Sequence, residues 1–374
     1  MKVAIIQNQI GVDGRSRVVA EIVKVLNDLN LSPTIFSFSK FKDLTIFQRE
    51  YFEKAPCFKH ELLAPFFVYR GYSFQVLFSN MLAFRKLHRF DIIINSNSAP
   101  YFMPSNVLKI YYFHFPLEAE WAYNARYRSW KYKAYLWPLQ ITCHLLRPVL
   151  TNSILLANSD FTRQVVSEFY NVPQNEVEVV YPPAYNETEW AFTAEKPKDS
   201  VDVLSIGAFT PDKMQLEQIQ IAEECPEWIF GIAGRIKSRT YYIACKKYID
   251  KKKISNVKLF PNISRSELVT LLKNAKVFLH SKRYEHFGIA TVEAIAAKCI
   301  PIVHNSGGQR EVVPLEELRY DTKEEAIAKI KWALLLSEKE KQVIVDVLNK
   351  QAKEKFSNEA FRAAFKGVLA RCGL

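Results

Sequence analysis

Short runs of apolar residues alternate along the chain with segments in which apolar residues recur every three or four positions. The apolar runs at 2–6, 91–95, 107–113 and 154–158 are typical of buried strands. Amphipathic helical patterns lie between them, for example SRVVAEIVKVLNDL at 16–29. Near-continuous apolar strands separated by helices predict a parallel sheet that helices cover on both faces.

The pattern ends and then restarts in the second half of the chain. The run VEVVYPP at 177–183 closes the first half, and the polar segment after it contains Pro197 and has no periodicity. Five more strand-like runs follow, at 201–209, 228–234, 257–261, 276–281 and 299–305. We therefore predict an α/β fold of two Rossmann-like domains. They cover 1–185 and 201–355, joined by a linker at 186–200, and the amphipathic segment at 356–374 is expected to pack back on the first domain.

Length and composition agree with this division. A chain of 374 residues is too long for one ordinary core and fits two domains. Since 49% of the residues are hydrophobic and 24% are charged, the chain belongs to the globular class and not to the disordered one. The balance of 51 basic against 39 acidic residues favours anionic partners, namely nucleotides, nucleic acid or an acidic membrane surface.

Cysteines and apolar segments indicate the compartment. The six cysteines are scattered without a Cys-x-x-Cys pair, so we interpret them as reduced thiols of a cytoplasmic protein. The apolar run at the N-terminus is too short for a signal peptide. No stretch reaches the roughly 18 apolar residues that span a bilayer, so any membrane contact is expected to be peripheral.

Two glutamates frame a glycine turn in the segment YEHFGIATVEAIAAKCIPIVHNSGG at 284–308. The segment follows a strand and begins a helix, and ligands of open α/β sheets bind at that edge. The first turn of a helix offers unpaired amide hydrogens to a diphosphate, and Gly288 has no side chain to keep an anion away. Glu285 is placed to accept hydrogen bonds from sugar hydroxyls, and Glu293 to take both hydroxyls of a ribose.

The alternative is that Glu285 and Glu293 only stabilise the start of the helix. Glutamates eight residues apart occur by chance in most chains, so the spacing alone is a weak signal. The whole string after a strand and before HNSGG is more specific. It predicts a site for a sugar nucleotide.

The segment resembles the E-x7-E signature of the family 4 retaining glycosyltransferases, which have the GT-B fold of two Rossmann-like domains facing across a cleft. Further pieces match that family in order along most of the chain: GVDGR at 11–15, YYFHFP at 111–116, ANSDFTRQVV at 157–166, SIGAFTPDK at 205–213 and FSNEAF at 356–361. Within the family, the chain looks most like the α-1,2-mannosyltransferases that extend lipid-linked oligosaccharides with GDP-mannose.

The resemblance implies a role for each matching residue. Lys213 would pair with the donor diphosphate. The arginines that the family has in this loop are absent, because Ala208 and Thr210 stand in their places. Arg235 and the helix amides after Gly288 are then expected to share the diphosphate charge. The remaining donor contacts are assigned to Gly11, Gly14, Phe287, Ile289 and Glu293.

Catalysis is assigned to Glu285, His114 and Lys213. His114 follows a strand and would hydrogen-bond the donor sugar, although a lone histidine beside apolar residues is often structural. A retaining transfer lets the leaving phosphate take the proton of the acceptor, so no separate base is required. The chain has no Asp-x-Asp motif, and the pairs 118/120 and 187/189 are poor substitutes, so we expect no metal and no cofactor besides the nucleotide-sugar.

A basic aromatic run lies at 121–137. Its cations are Arg126, Arg128, Lys131 and Lys133, with tryptophans and tyrosines between them. Such residues settle at membrane surfaces, which predicts docking onto a lipid-linked acceptor. A buried helix with a solvated basic side is the alternative. Binding of single-stranded nucleic acid is a weaker one, because no nucleic-acid module accompanies the run.

The sequence therefore predicts a retaining, metal-independent hexosyltransferase. It would move mannose from GDP-mannose to a polyprenyl-linked saccharide at the cytosolic membrane face, without a nucleic-acid partner. Two alternatives stay open. One is a sugar-nucleotide epimerase or a phosphorylase of the same fold, although no lysine is marked for the pyridoxal phosphate that a phosphorylase needs. The other is a protein that binds nucleotides or anions without turnover.

Overall fold

A computed structural model describes most of the chain, at 1–39, 41–63, 83–97, 103–123, 153–186 and 200–374, with isolated positions between 130 and 150 and at 190. The chain divides into two compact units. The first comprises Met1–Pro183 and Asn358–Leu374, and the second comprises Ala184–Ser357. Most of the predicted linker, at 187–189 and 191–199, lies outside the described residues.

The described strands form two sheets, one in each unit. In chain order they are β1 (Val3–Ile6), β2 (Thr34–Ser37), β3 (Lys59–Leu62), β4 (Ile92–Asn95), β5 (Leu108–Phe113), β6 (Ile154–Ala157), β7 (Val177–Val179), β8 (Val203–Ile206), β9 (Phe230–Gly234), β10 (Val257–Pro261), β11 (Val277–His280), β12 (Ile300–His304) and β13 (Arg319–Tyr320). The first sheet has the order β3-β2-β1-β4-β5-β6-β7, and the second has the order β10-β9-β8-β11-β12-β13. Neighbouring strands are parallel throughout both sheets.

Helices connect these strands, because parallel neighbours need a crossover. Those with described bounds are α1 (Gly14–Asp28), α2 (Phe41–Tyr51), α3 (Glu120–Tyr123), α4 (Asp160–Tyr170), α5 (Gln215–Glu223), α6 (Arg239–Lys252), α7 (Arg265–Asn274), α8 (Ile289–Ala296), α9 (Gln309–Val312), α10 (Lys323–Leu335), α11 (Glu338–Phe356) and α12 (Asn358–Arg371). Short 3₁₀ turns lie at Leu117–Ala119, Gln174–Glu176, Pro211–Lys213 and Glu316–Leu318.

The sheet of the first unit is buried on both faces. Ala4 and Ile6 of β1 belong to one hydrophobic core, whereas Val3 and Ile5 belong to another. Alternate residues of a strand point to opposite faces, so this split shows a core on each side of the sheet. That is why β1 is apolar at every position.

The C-terminal helix α12 belongs to the first unit. Phe361 and Phe365 enter the same core as Val18 of α1. Arg362 adds an ion pair to Glu21, with 2.5 Å between Nε and Oε2. Glu21 is almost fully buried on α1, so this pairing compensates a charge that would otherwise be costly to bury.

The second unit places its loops at the carboxyl ends of β8, β9, β11 and β12. The loops after β8 and β9 approach each other closely. A Cβ at Gly234 would stand 2.0 Å from the carbonyl oxygen of Gly207. Only glycine fits at 234, and the absence of a side chain there lets the backbone of the loop after β8 pass close to β9.

The prediction of two parallel α/β sheets is confirmed. Each strand-like run named from the sequence contains a strand of the structure, and the ends differ by a few residues. Three strands of the structure were not predicted from the sequence, namely β2, β3 and β13. A search of the described helices finds none with the length and apolar content needed to cross a bilayer.

Candidate active site

Glu285 stands in the loop between β11 and α8, and its side chain is only 11% exposed. Lys213 places Nζ 2.5 Å from Oε2 of Glu285, and Lys282 places Nζ 3.0 Å from Oε1. His280 is the last residue of β11, and its Nε2 lies 3.2 Å from Oε2. Each oxygen of the carboxylate therefore contacts one lysine.

These contacts decide the ionisation of the site. Burial alone would raise the pKa of Glu285, but the charges of Lys213 and Lys282 and the hydrogen bond from His280 hold that pKa well below its usual range. Burial lowers the pKa of His280, against the opposing effect of Glu285. At neutral pH the site therefore contains a carboxylate, two ammonium groups and a neutral imidazole.

Lys213 reaches Glu285 from the loop after β8. It ends the 3₁₀ turn Pro211–Lys213, and its stem carbons lie 3.4 Å from the position that a Cβ of Gly207 would take. Thr210, which stands where the resembling family has an arginine, is buried and donates its hydroxyl to the carbonyl of Ala208. Arg235 is exposed directly after β9. Of these candidates, only Lys213 contacts Glu285.

The Gly-Gly pair of HNSGG joins two loops of the site. Gly308 donates its N–H to the carbonyl of Glu285 at 2.8 Å, and Glu285 and Gly307 form a parallel bridge. A Cβ at Gly307 would stand 2.5 Å from the carbonyl oxygen of Glu285, and one at Gly308 would stand 2.5 Å from that of His286. The two glycines therefore let a second loop hold the backbone of Glu285 in place.

The start of α8 is occupied on one side by Gln309. Gly288 caps the helix with a φ of +114°, which a residue with a side chain rarely adopts. A Cβ there would stand 2.6 Å from Nε2 of Gln309. Gly288 was predicted to let an anion approach, whereas in the structure this carboxamide fills the space beside its Cα. Phe287 before it is buried against Phe356, with 5.1 Å between ring centroids.

Gln309 itself has unused hydrogen-bonding capacity. Its side chain is fully buried, and neither polar atom has a hydrogen-bond partner among the described residues. A buried amide without a partner costs on the order of 1–3 kcal/mol. The carboxamide lies against Gly288 at the start of α8, where unpaired amide hydrogens of the first turn also lie.

Glu293 is buried in the middle of α8 and is held by an arginine. Arg265, the first residue of α7, places Nη2 2.8 Å from Oε1 and Nη1 3.1 Å from Oε2 of Glu293. The guanidinium also lies over the ring of Trp190, 5.7 Å from its centroid. Glu293, the residue predicted to bind the ribose, is therefore already engaged in a bidentate ion pair. A ribose would have to share this carboxylate with Arg265 or displace the guanidinium.

The part of the chain that the structure describes contains no group of three or more His, Cys, Asp or Glu side chains placed to hold a metal ion. The charged groups that converge around Glu285 are lysines. Lysines bind phosphate oxygens as point charges. The arrangement can therefore stabilise an anion and hold a carboxylate beside it.

Comparison with known proteins decides the family. The model of the glycosyltransferase family 4 matches residues 12–184, and the model of the glycosyl transferases group 1 matches residues 186–348. The two matches are consecutive and together cover almost the whole chain. This chain belongs to the family 4 glycosyltransferases.

Curated relatives of this glycosyltransferase include a GDP-Man:Man(3)GlcNAc(2)-PP-Dol alpha-1,2-mannosyltransferase of Xenopus tropicalis. It is 26% identical over 242 residues, which are 57% of this chain and 47% of the relative. The chain spans about half the length of this curated relative. The donor, the acceptor and the linkage in this name are those of the Xenopus protein.

Solved structures share the fold over the full length. Sucrose-phosphate synthase of Thermosynechococcus elongatus has a TM-score of 0.77 at 15% identity, covering 100% of this chain and 99% of that one. The Anabaena protein HepE, solved with UDP and glucose, has a TM-score of 0.74 at 15% identity, and 99% of each chain is covered. This family 4 glycosyltransferase therefore has the GT-B fold that its sequence predicted.

The first unit of the glycosyltransferase holds the other residues that sequence motifs singled out. His114 follows β5 and is buried, with Nε2 3.0 Å from the hydroxyl of Ser96. Burial lowers its pKa to about 3, with a further lowering from Arg15, so the ring is neutral at pH 7. Gly11 donates its N–H to Ser16, and Gly14 begins α1.

The basic aromatic run is described only in part. Arg126 and Arg128 lie outside the described residues. Lys131 and Lys133 are helical and exposed. The neighbouring Trp130 is 74% exposed, with the ammonium group of Lys131 6.0 Å from its ring centroid. At these positions the run is a solvent-facing surface of cations and aromatic rings.

Sequence reasoning missed His280, Lys282, Arg265 and Gln309. The first two were within reach, because they precede Glu285 by five and three residues in HSKRYE, at the end of a strand that had been recognised. Arg265 and Gln309 gave no signal in the sequence. Their contacts with Glu293 and Gly288 join different segments of the chain, which no local pattern shows.

Proposed function

We propose that this protein is a retaining, metal-independent glycosyltransferase. It transfers mannose from GDP-mannose to a lipid-linked saccharide at the cytosolic face of a membrane. The observation that carries the proposal is the Glu285 carboxylate, held between Lys213 and Lys282 beside the start of α8. It combines cations and helix amides for a diphosphate with an acceptor of hydrogen bonds for a sugar.

Each part of this site has a task in the transfer. The bond between the anomeric carbon and the phosphate oxygen breaks, and its electron pair stays on the departing nucleoside diphosphate. Lys213 and the amides of α8 stabilise that charge, and such electrostatic stabilisation is usually the largest catalytic contribution. The acceptor hydroxyl attacks from the face that the phosphate leaves, so the phosphate takes its proton. Glu285 orients the sugar through its hydroxyls.

The choice of donor and acceptor follows the curated relatives. Their name states a GDP-mannose donor and a dolichol-linked acceptor, and this chain is 26% identical to one of them over 242 residues. The segment with Glu285, Glu293 and HNSGG looks most like their group. The relatives therefore support the donor base and the sugar in this proposal, and the geometry of the site supports the diphosphate.

A panel of sugar nucleotides tests the donor. GDP-mannose is expected to raise the melting temperature of the protein more than UDP-glucose or ADP-glucose, because selective binding to the folded state adds about 2.7 kcal/mol at a hundredfold excess over Kd. Lys213→Met should lose the shift. Lys276→Met is the matched control, since this exposed lysine pairs with Asp202 at the other end of β11. No shift with any of the three donors contradicts the proposal.

The lipid-linked acceptor implies contact with a membrane, and the run at 121–137 supplies the surface. Each cation near an anionic bilayer contributes about 1 kcal/mol. Replacing Arg126, Arg128, Lys131 and Lys133 together by glutamine is expected to abolish sedimentation with phosphatidylserine vesicles and to leave the melting temperature within a few degrees. The control replaces the exposed cations Lys246, Lys247, Lys251 and Lys253 on and after α6. Unchanged sedimentation of the first variant contradicts the assignment.

A further inference from the structure

The cluster around Glu285 carries more positive than negative charge. Lys213 and Lys282 are cations, Glu285 is an anion, and burial lowers the pKa of His280 so that its ring is neutral. The side chains are 25%, 11%, 11% and 5% exposed in that order, so water screens their charges poorly. The excess of one positive charge prepares the cluster for a further anion.

The two lysines are placed differently. Lys213 is the more exposed one and comes from the loop after β8, a separate segment of the chain. Lys282 lies three residues before Glu285 in the same loop and is more deeply buried. Because the lysines contact different oxygens of the carboxylate, Lys213 can turn away without breaking the contact of Lys282. Lys213 is therefore the cation available to an incoming phosphate.

We propose that Lys282 is the positioning residue of the donor site, holding the Glu285 carboxylate in place and ionised while Lys213 turns to the donor diphosphate. The inference rests on the proposed function, since it needs a diphosphate that Lys213 can bind. With Lys282 present, the movement leaves two compensated pairs, Lys213 with phosphate and Lys282 with Glu285. Without Lys282, it leaves a buried carboxylate beside a neutral histidine.

A carboxylate in that position is expected to take up a proton, because burial disfavours the charged form and both opposing lysines are gone. The titratable groups that face Glu285 are Lys213, Lys282 and His280, and the backbone N–H of His286 also donates to Oε1 at 3.3 Å. Protonated Glu285 presents one fewer acceptor to the hydroxyls of the donor sugar. Loss of Lys282 should therefore appear as coupling between nucleotide binding and protonation, which a purely structural lysine would not produce.

Calorimetric titration measures this coupling directly. GDP, UDP and ADP are titrated into the protein at about pH 6 in two buffers of different ionisation enthalpy, which counts the protons taken up per nucleotide. We expect Lys282→Met, which keeps the length of the side chain and removes its charge, to take up about one proton more per nucleotide than the wild type. The terminal phosphate of the nucleotide titrates in the same range, so the difference between the two proteins is the quantity compared. Lys282→Arg should restore the wild-type count. Lys282→Gln replaces the methionine variant if the latter does not fold.

The matched control is Arg283→Met. Arg283 is the next residue, is exposed, and pairs with Glu217 at 3.0 Å instead of Glu285. It should keep the wild-type proton count. In turnover, the acid limb of kcat, which reports ionisations in the enzyme–substrate complex, should move up by about one pH unit or more in Lys282→Met and stay in place in Arg283→Met.

The outcomes separate the two proposals. If the wild type binds a nucleotide and Lys282→Met takes up no more protons than Arg283→Met, the role of Lys282 is overturned and the proposed function stands. If the wild type binds none of the three nucleotides, the proposed function fails and the role of Lys282 fails with it. Additional proton uptake confined to the uncharged variants at 282 supports both.

Discussion

Glu285→Gln is expected to reduce kcat by about 10²–10⁴-fold while the nucleoside diphosphate binds as tightly as before or more tightly. The amide keeps the shape of the side chain but is a weaker acceptor for the sugar hydroxyls. It also releases Lys213, whose Nζ lies 2.5 Å from the carboxylate in the structure. A lysine freed from its carboxylate is a better partner for phosphate. Turnover and nucleotide affinity should therefore move in opposite directions.

The same substitution should lower the stability of the fold. It leaves Lys213 and Lys282 without their anion, and breaking a buried ion pair by removing one partner costs about 3–5 kcal/mol. Added nucleotide should recover part of this loss, because its phosphates replace the missing charge. Initial rates, calorimetry and urea unfolding measure the three quantities.

Glu223→Gln is the control for that experiment. Glu223 also pairs with a lysine of the second unit, Lys252, but its side chain is 31% exposed, and its contacts are with Lys252 and Tyr248 and not with the Glu285 cluster. Its variant should match the wild type in rate and in nucleotide affinity. A Glu285→Gln protein with a kcat within tenfold of the wild type would refute the role given to Glu285.

The sequence predicted the fold well because most strands of this protein are buried on both faces. Runs such as IIIN of β4 and FGIAG of β9 are apolar at nearly every position and stand out from the helices around them. The three strands that were not predicted lack a continuous apolar run. β2 reads TIFS and is buried at all four positions, but Thr34 and Ser37 interrupt its apolar pattern. β3 reads KHEL at the edge of its sheet and is partly exposed, and β13 has two residues. A polar edge strand looks like a loop until its neighbour is known.

The site could be located from sequence but not assembled from it. The order strand, glycine turn and helix placed Glu285 at the carboxyl edge of a parallel sheet, and the structure has it there. The partners that come from distant segments of the chain, Lys213 for Glu285 and Arg265 for Glu293, could not be paired with the glutamates from sequence. Lys213 is 72 residues from Glu285, and Arg265 is 28 residues from Glu293. Such pairs form because strand order brings loops together, and periodicity carries no information on which loops meet.

The glycines show the same limit in another form. Sequence reasoning assigned Gly288 to a ligand, whereas its conformation and the carboxamide of Gln309 require a glycine in any case. The pair Gly307 and Gly308 likewise serves contact between two stretches of backbone. A glycine in a sequence motif indicates that a side chain would not fit at that position. It does not show whether a ligand, another side chain or a neighbouring backbone segment occupies the space.

Gly234→Ala is expected to destabilise the second unit by about 3 kcal/mol or more, or to prevent folding at 37 °C. The added Cβ would stand 2.0 Å from the carbonyl oxygen of Gly207 and 2.6 Å from its carbonyl carbon. Both contacts are with backbone, so no side-chain rotation relieves them. The loop after β8 has to move, and Lys213 lies on that loop, so nucleotide affinity should fall in any protein that still folds.

Gly367→Ala is the matched control, because it is the same substitution at a position with open space around the added methyl group. Gly367 lies within α12, and a Cβ there would meet no atom within 4 Å. Alanine is favoured over glycine inside a helix by about 0.5–1 kcal/mol, so this variant should be slightly more stable than the wild type. Urea unfolding of both variants gives the comparison. A Gly234→Ala protein that unfolds within about 1 kcal/mol of the wild type would show that the loops after β8 and β9 separate easily. The position of Lys213 would then not depend on the close approach of those two backbones.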